Sequence, residues 1–195
     1  ISGFSALAAG QYVRISTDAT DLILKVADDN RLYQSYLGPR LLHQDEIDAL
    51  PQLGFTTYDG RKQPRGWEVY SGSGNEDYFE PAVAITHADG NASTYLYYVD
   101  SSSESVEGGT HTRIVLRDDK YPVEVVLHYV AYQRENVIKT WSEISHSEKK
   151  PVTLSAYAST MLYFNCPAYY LTEFSGDWAT EVRMTSQQLQ FGKKV

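Results

Sequence analysis

At 195 residues, the chain has the length of one large β domain or of a close pair of β-sheets. Hydrophobic residues make up 42% of the chain and charged residues 22%, a balance that supports a buried core and argues against disorder. The net charge of −8 argues against nucleic acid and anionic membranes as partners, so we expect neither.

Cys166 is the only cysteine, which excludes an intrachain disulfide and a cysteine-rich metal site. The sequence has no apolar run long enough to span a bilayer, so we expect no membrane span. The opening ISGFSALAAGQYVRIS has neither an initiator Met nor a basic-then-apolar signal, and we expect a processed or trimmed N-terminus. The compartment stays open, with a periplasmic or secreted location favoured over a cytoplasmic one.

Strand-like segments recur along the chain, and its sixteen tyrosines favour strands with partly solvent-exposed faces. We predict strands over residues 11–16, 21–26, 31–37, 81–86, 94–99, 111–116, 123–133, 137–146 and 151–164. Between the fourth and fifth of these, Asp89-Gly90 predicts a hairpin turn, because Gly takes a positive φ at no steric cost.

Apolar residues alternate along the strand predicted over residues 123–133, which gives that strand one buried face. That face carries Val123, Val125, Leu127, Tyr129 and Ala131. Only residues 44–50 look helical, and no βαβ alternation appears. The fold class is therefore all-β, an antiparallel sandwich with at most one or two short helices.

Residues 51–80 interrupt the alternation with several glycines and two prolines, and a segment of this length without regular structure is usually functional. Aromatic rings stack on the apolar faces of pyranose rings, and the side chains of Asp, Asn and Arg bind sugar hydroxyls. The segment supplies both kinds: Trp67, Tyr70, Tyr78 and Phe79 with Asp59, Arg65, Asn75 and Asp77. The alternative is that these aromatics only fix the loop to the sheet.

The sequence gives weaker support to nucleophile, phosphate-binding, metal and glycosidase sites. Residues 71–74, Ser-Gly-Ser-Gly, fit neither a nucleophile elbow nor a phosphate-binding loop and are predicted to form a flexible turn. The five histidines show no metal-ligand spacing, and we expect them to be isolated. The pairs Glu76/Asp77 and Glu173/Asp177 would suit a glycosidase only if they converged, and we interpret them as surface acids.

The stretch 170–182, YLTEFSGDWATEV, combines aromatic and acidic residues near the end of the chain. In an alternating aromatic strand, a Trp is more often a core residue than a binding platform. We therefore predict that Trp178 is largely buried.

Several of these stretches, in series, resemble the N-terminal domain of glycoside hydrolase family 36 α-galactosidases. Residues 67–85 hold a Tyr, a Gly-rich turn, an acidic-aromatic pair and a Pro-Ala strand, and the HADGN turn at 87–91 follows. Residues 129–142 resemble that family's next strand pair. Leu171, Gly176, Trp178 and Glu181 match its L-x-x-x-x-G-x-W-x-x-E segment. Order and spacing agree from about Tyr12 to Gly192.

The resemblance implies that residues 1–195 form one N-terminal β-supersandwich domain, and that a (β/α)8 barrel with the catalytic aspartates follows it. It implies no catalytic residue, metal or cofactor in this chain. The implied partners are a galactoside, bound by the full-length enzyme, the downstream barrel and further copies in a homo-oligomer. In tetrameric members an Asp and an Arg reach a neighbouring subunit's sugar site. Here Gly54 stands where that Asp is expected. If the correspondence includes a gap, Asp59 with Arg61 or Arg65 would take the places of that Asp and Arg.

Three interpretations follow. The first is a non-catalytic domain of a retaining α-galactosidase, with Asp59, Arg65, Trp67 and Asp77 in a loop near the substrate. The second is a self-standing carbohydrate-binding sandwich, and the third is a structural or adhesive domain without a ligand. A self-standing module would bind galactosides by itself, whereas a large apolar docking face would favour the first interpretation.

Overall fold

The computed structural model describes residues 11–51, 54–58, 61–65, 67–74, 80–164 and 168–189, with the backbone alone for 54–58 and 61–65. The chain divides into two compact units, Ile1–Tyr163 and Phe164–Val195. Within the described residues both units are built from antiparallel strands, and the first also contains one short helix.

The first unit contains twelve described strands. They are β1 (Tyr12–Ser16), β2 (Thr20–Val26), β3 (Leu32–Pro39), β4 (Gly54–Tyr58), β5 (Arg61–Arg65), β6 (Trp67–Glu68), β7 (Val83–Thr86), β8 (Leu96–Val106), β9 (Gly109–Asp118), β10 (Val123–Tyr132), β11 (Val137–His146) and β12 (Thr153–Tyr157). The helix α1 (Gln44–Asp48) follows β3 and buries Ile47. No described helix is long and apolar enough to cross a membrane.

Two four-stranded sheets organise this unit. Their strand orders are β1-β2-β3-β6 and β11-β10-β9-β8, and β7 pairs with β12 while β4 pairs with β5. One continuous hydrophobic core draws on both large sheets, with Val13 and Leu22 from the first and Val125 and Leu127 from the second. This arrangement confirms the all-β sandwich.

The alternation predicted for β10 is confirmed, because Val123, Val125, Leu127, Tyr129 and Ala131 all belong to the core. The sequence also located β11 and the short helix. The strand predicted over 151–164 is shorter than expected, since only Thr153–Tyr157 is extended and paired. Further along, Tyr163 uses its backbone to bond the side chain of Gln34 instead of a strand.

The hairpin predicted at Asp89-Gly90 is only half right. The turn exists, with the Gly90 N–H donating to the His87 carbonyl and Gly90 at φ 91°. The flanking strands, however, do not pair with each other, since β7 pairs with β12 and β8 pairs with β9. Between them, the Thr94 N–H donates to the Ser73 carbonyl. A turn signal is local and does not select the partner of the next strand.

The interpretation of residues 51–80 as lacking regular structure is also wrong. Strands β4 and β5 form a hairpin in which Gly54 lies opposite Arg65 and Tyr58 opposite Arg61, and β6 joins the first large sheet. Pro64 lies in β5, a position that a two-stranded ribbon tolerates at its open edge.

The second unit contains a single described hairpin. Strands β13 (Tyr170–Ser175) and β14 (Arg183–Gln188) pair in register from Tyr170 opposite Gln188 to Ser175 opposite Arg183. Residues 176–182 form the connecting loop.

Candidate functional site

Trp67 is the predicted site residue whose side chain the structure describes best. It lies on β6, opposite Gln34 of β3, and is half-buried. Its indole stacks on the ring of Tyr163, with ring centres 5.5 Å apart and planes 5° from parallel. The stack holds the indole in a single orientation at the end of the first large sheet.

Hydrogen bonds to β3 and β6 hold Tyr163 in place. The Gln34 Nε2 donates to the Tyr163 carbonyl at 2.6 Å, and the Tyr163 N–H donates to the Gln34 Oε1 at 3.1 Å. The Tyr163 hydroxyl donates to the Glu68 carbonyl at 3.0 Å. These bonds tie the Trp67 stack to both β3 and β6, so the pair forms a preorganised aromatic surface.

A buried ion pair involves Glu68, the residue that follows Trp67 in the sequence. The Arg31 Nη1 is 3.3 Å from the Glu68 Oε2, and the two side chains are only 2% and 4% exposed. Burial alone would lower the pKa of Arg31, but the neighbouring Glu68 and Asp29 carboxylates outweigh it and raise that pKa. The guanidinium therefore stays charged, and its carboxylate partner balances the desolvation cost.

Aromatic rings complete the surroundings of this ion pair. The Arg31 guanidinium lies 5.5 Å from the ring centre of Tyr95 and 5.6 Å from that of Tyr97. Tyr33 is fully buried and its hydroxyl donates to Asp29 at 2.7 Å, so burial and this bond raise the pKa of Tyr33. The cluster is structural, because each of these groups is engaged within the protein.

The turn at residues 71–74, predicted to be flexible, is closely packed. A Cβ on Gly72 would lie 2.1 Å from the Thr94 carbonyl oxygen, so only glycine fits. The Ser73 N–H donates to the Val83 carbonyl, and the Tyr95 hydroxyl donates to the Gly74 carbonyl at 3.0 Å.

The structure places the other predicted site residues as follows. Arg65 ends β5, where only its backbone is described, and Asp59 and Asp77 lie outside the described residues. Tyr70, expected among the sugar-stacking aromatics, is instead 1% exposed and donates its hydroxyl to the Ala158 carbonyl at 2.7 Å. Gln34 and Tyr163 were not predicted, because nothing in the sequence signals a contact between such distant positions.

Two histidines converge, contrary to the expectation that all five are isolated. The His111 Nε2 lies 2.9 Å from the His128 Nδ1, and Glu104 and Glu143 lie 3.1 and 3.4 Å from the outer ring nitrogens. The indole of Trp141 is parallel to the His128 ring, with centres 4.6 Å apart. The described residues contain no cluster with metal-ligand geometry, so we interpret the pair as a cross-strand hydrogen bond.

A third histidine secures the turn before β8. His87 is buried, with its Nδ1 2.8 Å from Glu148, and its ring stacks on Tyr121 with centres 3.6 Å apart. The bond from His87, with a second from the Ala88 N–H, lowers the pKa of Glu148. These contacts fix the turn to the polar connection after β11.

The prediction that Trp178 is buried is wrong, since its side chain is 91% exposed. Trp178 lies in the loop between β13 and β14 rather than on an alternating strand. The Asp177 Oδ1 accepts a hydrogen bond from the Trp178 N–H at 2.7 Å, so that carboxylate stabilises the turn. Glu173 lies on β13 and is exposed, as expected for a surface acid.

Residues 30–195 match the family model described as the glycosyl hydrolase family 36 N-terminal domain. The chain belongs to this family. The matched residues include both partners of the Arg31–Glu68 ion pair, the Trp67 stack and the whole β13–β14 hairpin. No curated protein gives a significant match.

Solved structures of α-galactosidases share the fold. The α-galactosidase from Lactobacillus brevis is 18% identical at a TM-score of 0.74, and the match covers 92% of this chain and 27% of that one. AgaB from Geobacillus stearothermophilus is 16% identical at a TM-score of 0.76, covering 98% and 29%. A variant of AgaA from the same organism, in complex with raffinose, is 18% identical at a TM-score of 0.79, covering 93% and 28%. The chain thus spans less than a third of the length of these relatives.

Proposed function

We propose that this chain is the non-catalytic N-terminal domain of a retaining α-galactosidase that hydrolyses terminal α-galactosides. The match to the family 36 N-terminal domain over residues 30–195 carries this proposal. Under it, the catalytic carboxylates lie in a barrel that belongs to the full-length enzyme, and this domain supports that barrel.

Three carboxylates with buried or charged partners support a non-catalytic role. Asp21 is fully buried and accepts hydrogen bonds from Arg14 and from the Leu41 N–H, while Glu68 pairs with Arg31 and Glu148 with His87. A retaining glycosidase needs two carboxyl groups about 5–5.5 Å apart that face the substrate. These three carboxylates instead hold strands and turns together.

We further propose that the segment 51–80 approaches the sugar site of its own or of a neighbouring subunit. Trp67 supports this role because its ring is held in one orientation yet remains partly exposed. A preorganised aromatic face costs little entropy on binding. Asp59, Arg65 and Asp77 would add charge-assisted hydrogen bonds to sugar hydroxyls.

Steady-state kinetics of the full-length enzyme on raffinose test this role. Because the chemistry belongs to the barrel, Trp67→Ala and Asp59→Ala should each raise KM more than they lower kcat. Trp67→Phe, which retains a ring able to stack on Tyr163, serves as the control and should stay closer to the parent. Parental KM and kcat in both alanine variants would assign the sugar site wholly to the barrel.

The alternative of a self-standing sugar-binding module makes a different prediction. Such a module would bind galactosides without any other domain, and titration calorimetry of residues 1–195 with raffinose would then show saturable heat. We expect no saturable binding, because the proposed loop only completes a site whose main contacts belong to the barrel.

A further inference from the structure

Strand β11 lies at one edge of the second large sheet, whose strand order is β11-β10-β9-β8. It pairs with β10 from Val137 opposite Tyr132 to His146 opposite Val123, without a bulge. Within the described part of the chain, no strand pairs with its other side. A sheet edge presents a row of backbone N–H and C=O groups, so a long and regular edge is a template for a further strand.

The opposite edge of the same sheet is built differently. Strand β8 changes register against β9 between Tyr98 and Asp100, and such a bulge protects an edge from further pairing. Strand β11 has no such interruption and contains no proline. The regular edge is therefore the one suited to accept another strand.

The sequence of β11 is nearly symmetric about Trp141. Positions at equal distances from this residue carry related side chains: Ile138 and Ile144, Lys139 and Glu143, Thr140 and Ser142. Two antiparallel copies of β11 centred on Trp141 would bring each of these pairs face to face twice. Opposite charges, Thr–Ser pairs and aromatic pairs are the cross-strand neighbours that stabilise antiparallel strands. A strand that pairs with an unrelated segment has no reason to be complementary to itself.

This register also keeps every side chain on its own face of the sheet. Ile138 and Ile144 pack against the core, and they would meet across the axis on that side. Lys139, Trp141 and Glu143 alternate with them and share the outer face. Moving the axis by one residue in either direction would place one of the two charged residues opposite Trp141. Only the axis at Trp141 pairs the two charges.

A row of stacked rings leads across the outer face to this edge. His111, His128 and Trp141 lie on neighbouring strands, and the His128 and Trp141 rings are 4.6 Å apart and 1° from parallel. His128 covers one face of the indole, and the Lys139 Nζ lies 5.3 Å from the ring centre. Because the row runs across the strands, the second face of the indole is directed past β11. A second Trp141 at the axis would extend the row as an offset stack.

We propose that β11 pairs with β11 of a second copy of this chain, antiparallel and centred on Trp141. The contact joins the four-stranded sheets of the two copies into one continuous sheet. Backbone hydrogen bonds supply the attraction in such strand additions, and the side-chain pairs set the register. The inference goes beyond the proposed function, and it holds whether or not the full-length protein hydrolyses galactosides.

Charge reversal in the full-length protein tests the register. Light scattering coupled to size-exclusion chromatography at low ionic strength gives the mass of the assembly. Lys139→Glu places two carboxylates opposite each other across the axis, and Glu143→Lys places two ammonium groups there. Each variant should shift the assembly toward half the parental mass. The double variant Lys139→Glu/Glu143→Lys restores both pairs and should recover the parental mass.

A matched control separates the register from net charge. Arg134→Glu makes the same change of charge as Lys139→Glu, but at an exposed position in the turn between β10 and β11. It should keep the parental mass.

Disulfide trapping tests the same register without relying on charge. Directly opposite residues of an antiparallel pair have Cα atoms about 4.5–5.5 Å apart, within the range that a disulfide spans. The chains used have their native cysteines replaced by serine, and copper phenanthroline in air is the oxidant. A mixture of Lys139→Cys and Glu143→Cys chains should form a covalent dimer, whereas each variant alone should not.

Several results would overturn the pairing of β11. They are a parental mass of one chain, an unchanged mass in both single reversals, no recovery in the double variant, and equal disulfide yields from the mixture and from either variant alone. Only variants with the parental circular dichroism are compared by mass. Where a charge reversal fails to fold, the disulfide yields decide.

Discussion

Trp67 and Tyr163 form a parallel ring stack, 5.5 Å between centres, that joins β6 to a segment far away in the sequence. Gln34 bonds both the N–H and the carbonyl of Tyr163, and the Tyr163 hydroxyl donates to the Glu68 carbonyl. These bonds hold the stack in place. The only described side chain of the proposed substrate-proximal group is thus also an anchor of the fold.

The anchoring contribution of Tyr163 can be measured directly. Tyr163→Phe keeps the stack but removes the hydroxyl bond to the Glu68 carbonyl, which we expect to lower the free energy of unfolding by about 0.5–1.5 kcal/mol. Urea denaturation of the two proteins gives this difference. Tyr157→Phe is the matched control, because Tyr157 is 72% exposed and its change should stay within about 0.5 kcal/mol. Equal losses of unfolding free energy in the two variants would mean that the hydroxyl bond does not anchor the Trp67–Tyr163 stack.

The buried ion pair should be far more sensitive than a surface pair. Arg31→Met leaves the Glu68 carboxylate buried without its guanidinium, and such a change typically costs about 3–5 kcal/mol. Arg117→Met removes an ion pair whose partners are 55% and 30% exposed, and should cost about 0–1 kcal/mol. Denaturant melts of both variants check the contrast. A small loss in Arg31→Met would show that water reaches Glu68.

His128 should make stability depend on pH. Burial lowers its pKa below the ordinary 6.5, His111 and Arg113 act in the same direction, and Glu143 opposes them. The folded state therefore binds the proton more weakly than the unfolded chain. The stability that neutral His128 contributes is fully present above about pH 6.5 and is lost as the pH falls through the lowered folded pKa.

Urea midpoints between about pH 5 and about pH 8 test this sign. His128→Gln should flatten the acid side of the stability profile, whereas His146→Gln, an exposed substitution at the end of β11, should retain the parental slope. An unchanged slope in His128→Gln would assign the acid sensitivity to other groups.

Much of the sandwich could be predicted because its strands repeat simple patterns. β10 alternates apolar and mixed residues, and polar turns bound β11 on both sides, so burial and strand limits follow from local sequence. The β4–β5 hairpin could not be predicted in this way. Its second strand, RKQPR, is polar, contains Pro64 and shows no alternation.

The candidate site was less predictable because its contacts depend on register and long-range packing. His111 and His128 converge only because β9 and β10 pair with Thr112 opposite Tyr129. The exposure of Trp178 did not follow from the alternating pattern, because an aromatic residue that comes directly after Gly176 and Asp177 belongs to a turn. In a turn, burial does not follow the period of a strand. The stack of Trp67 on Tyr163 required knowledge of where the chain returns after β12.

The rate of nitrophenyl α-galactoside hydrolysis, compared at equal molar concentration between residues 1–195 and the full-length protein, tests the central claim most directly. The proposed function predicts turnover by the full-length protein and none above background by residues 1–195. Hydrolysis that stays with residues 1–195 through purification, and is lost on mutating an acid in this chain, would contradict the account.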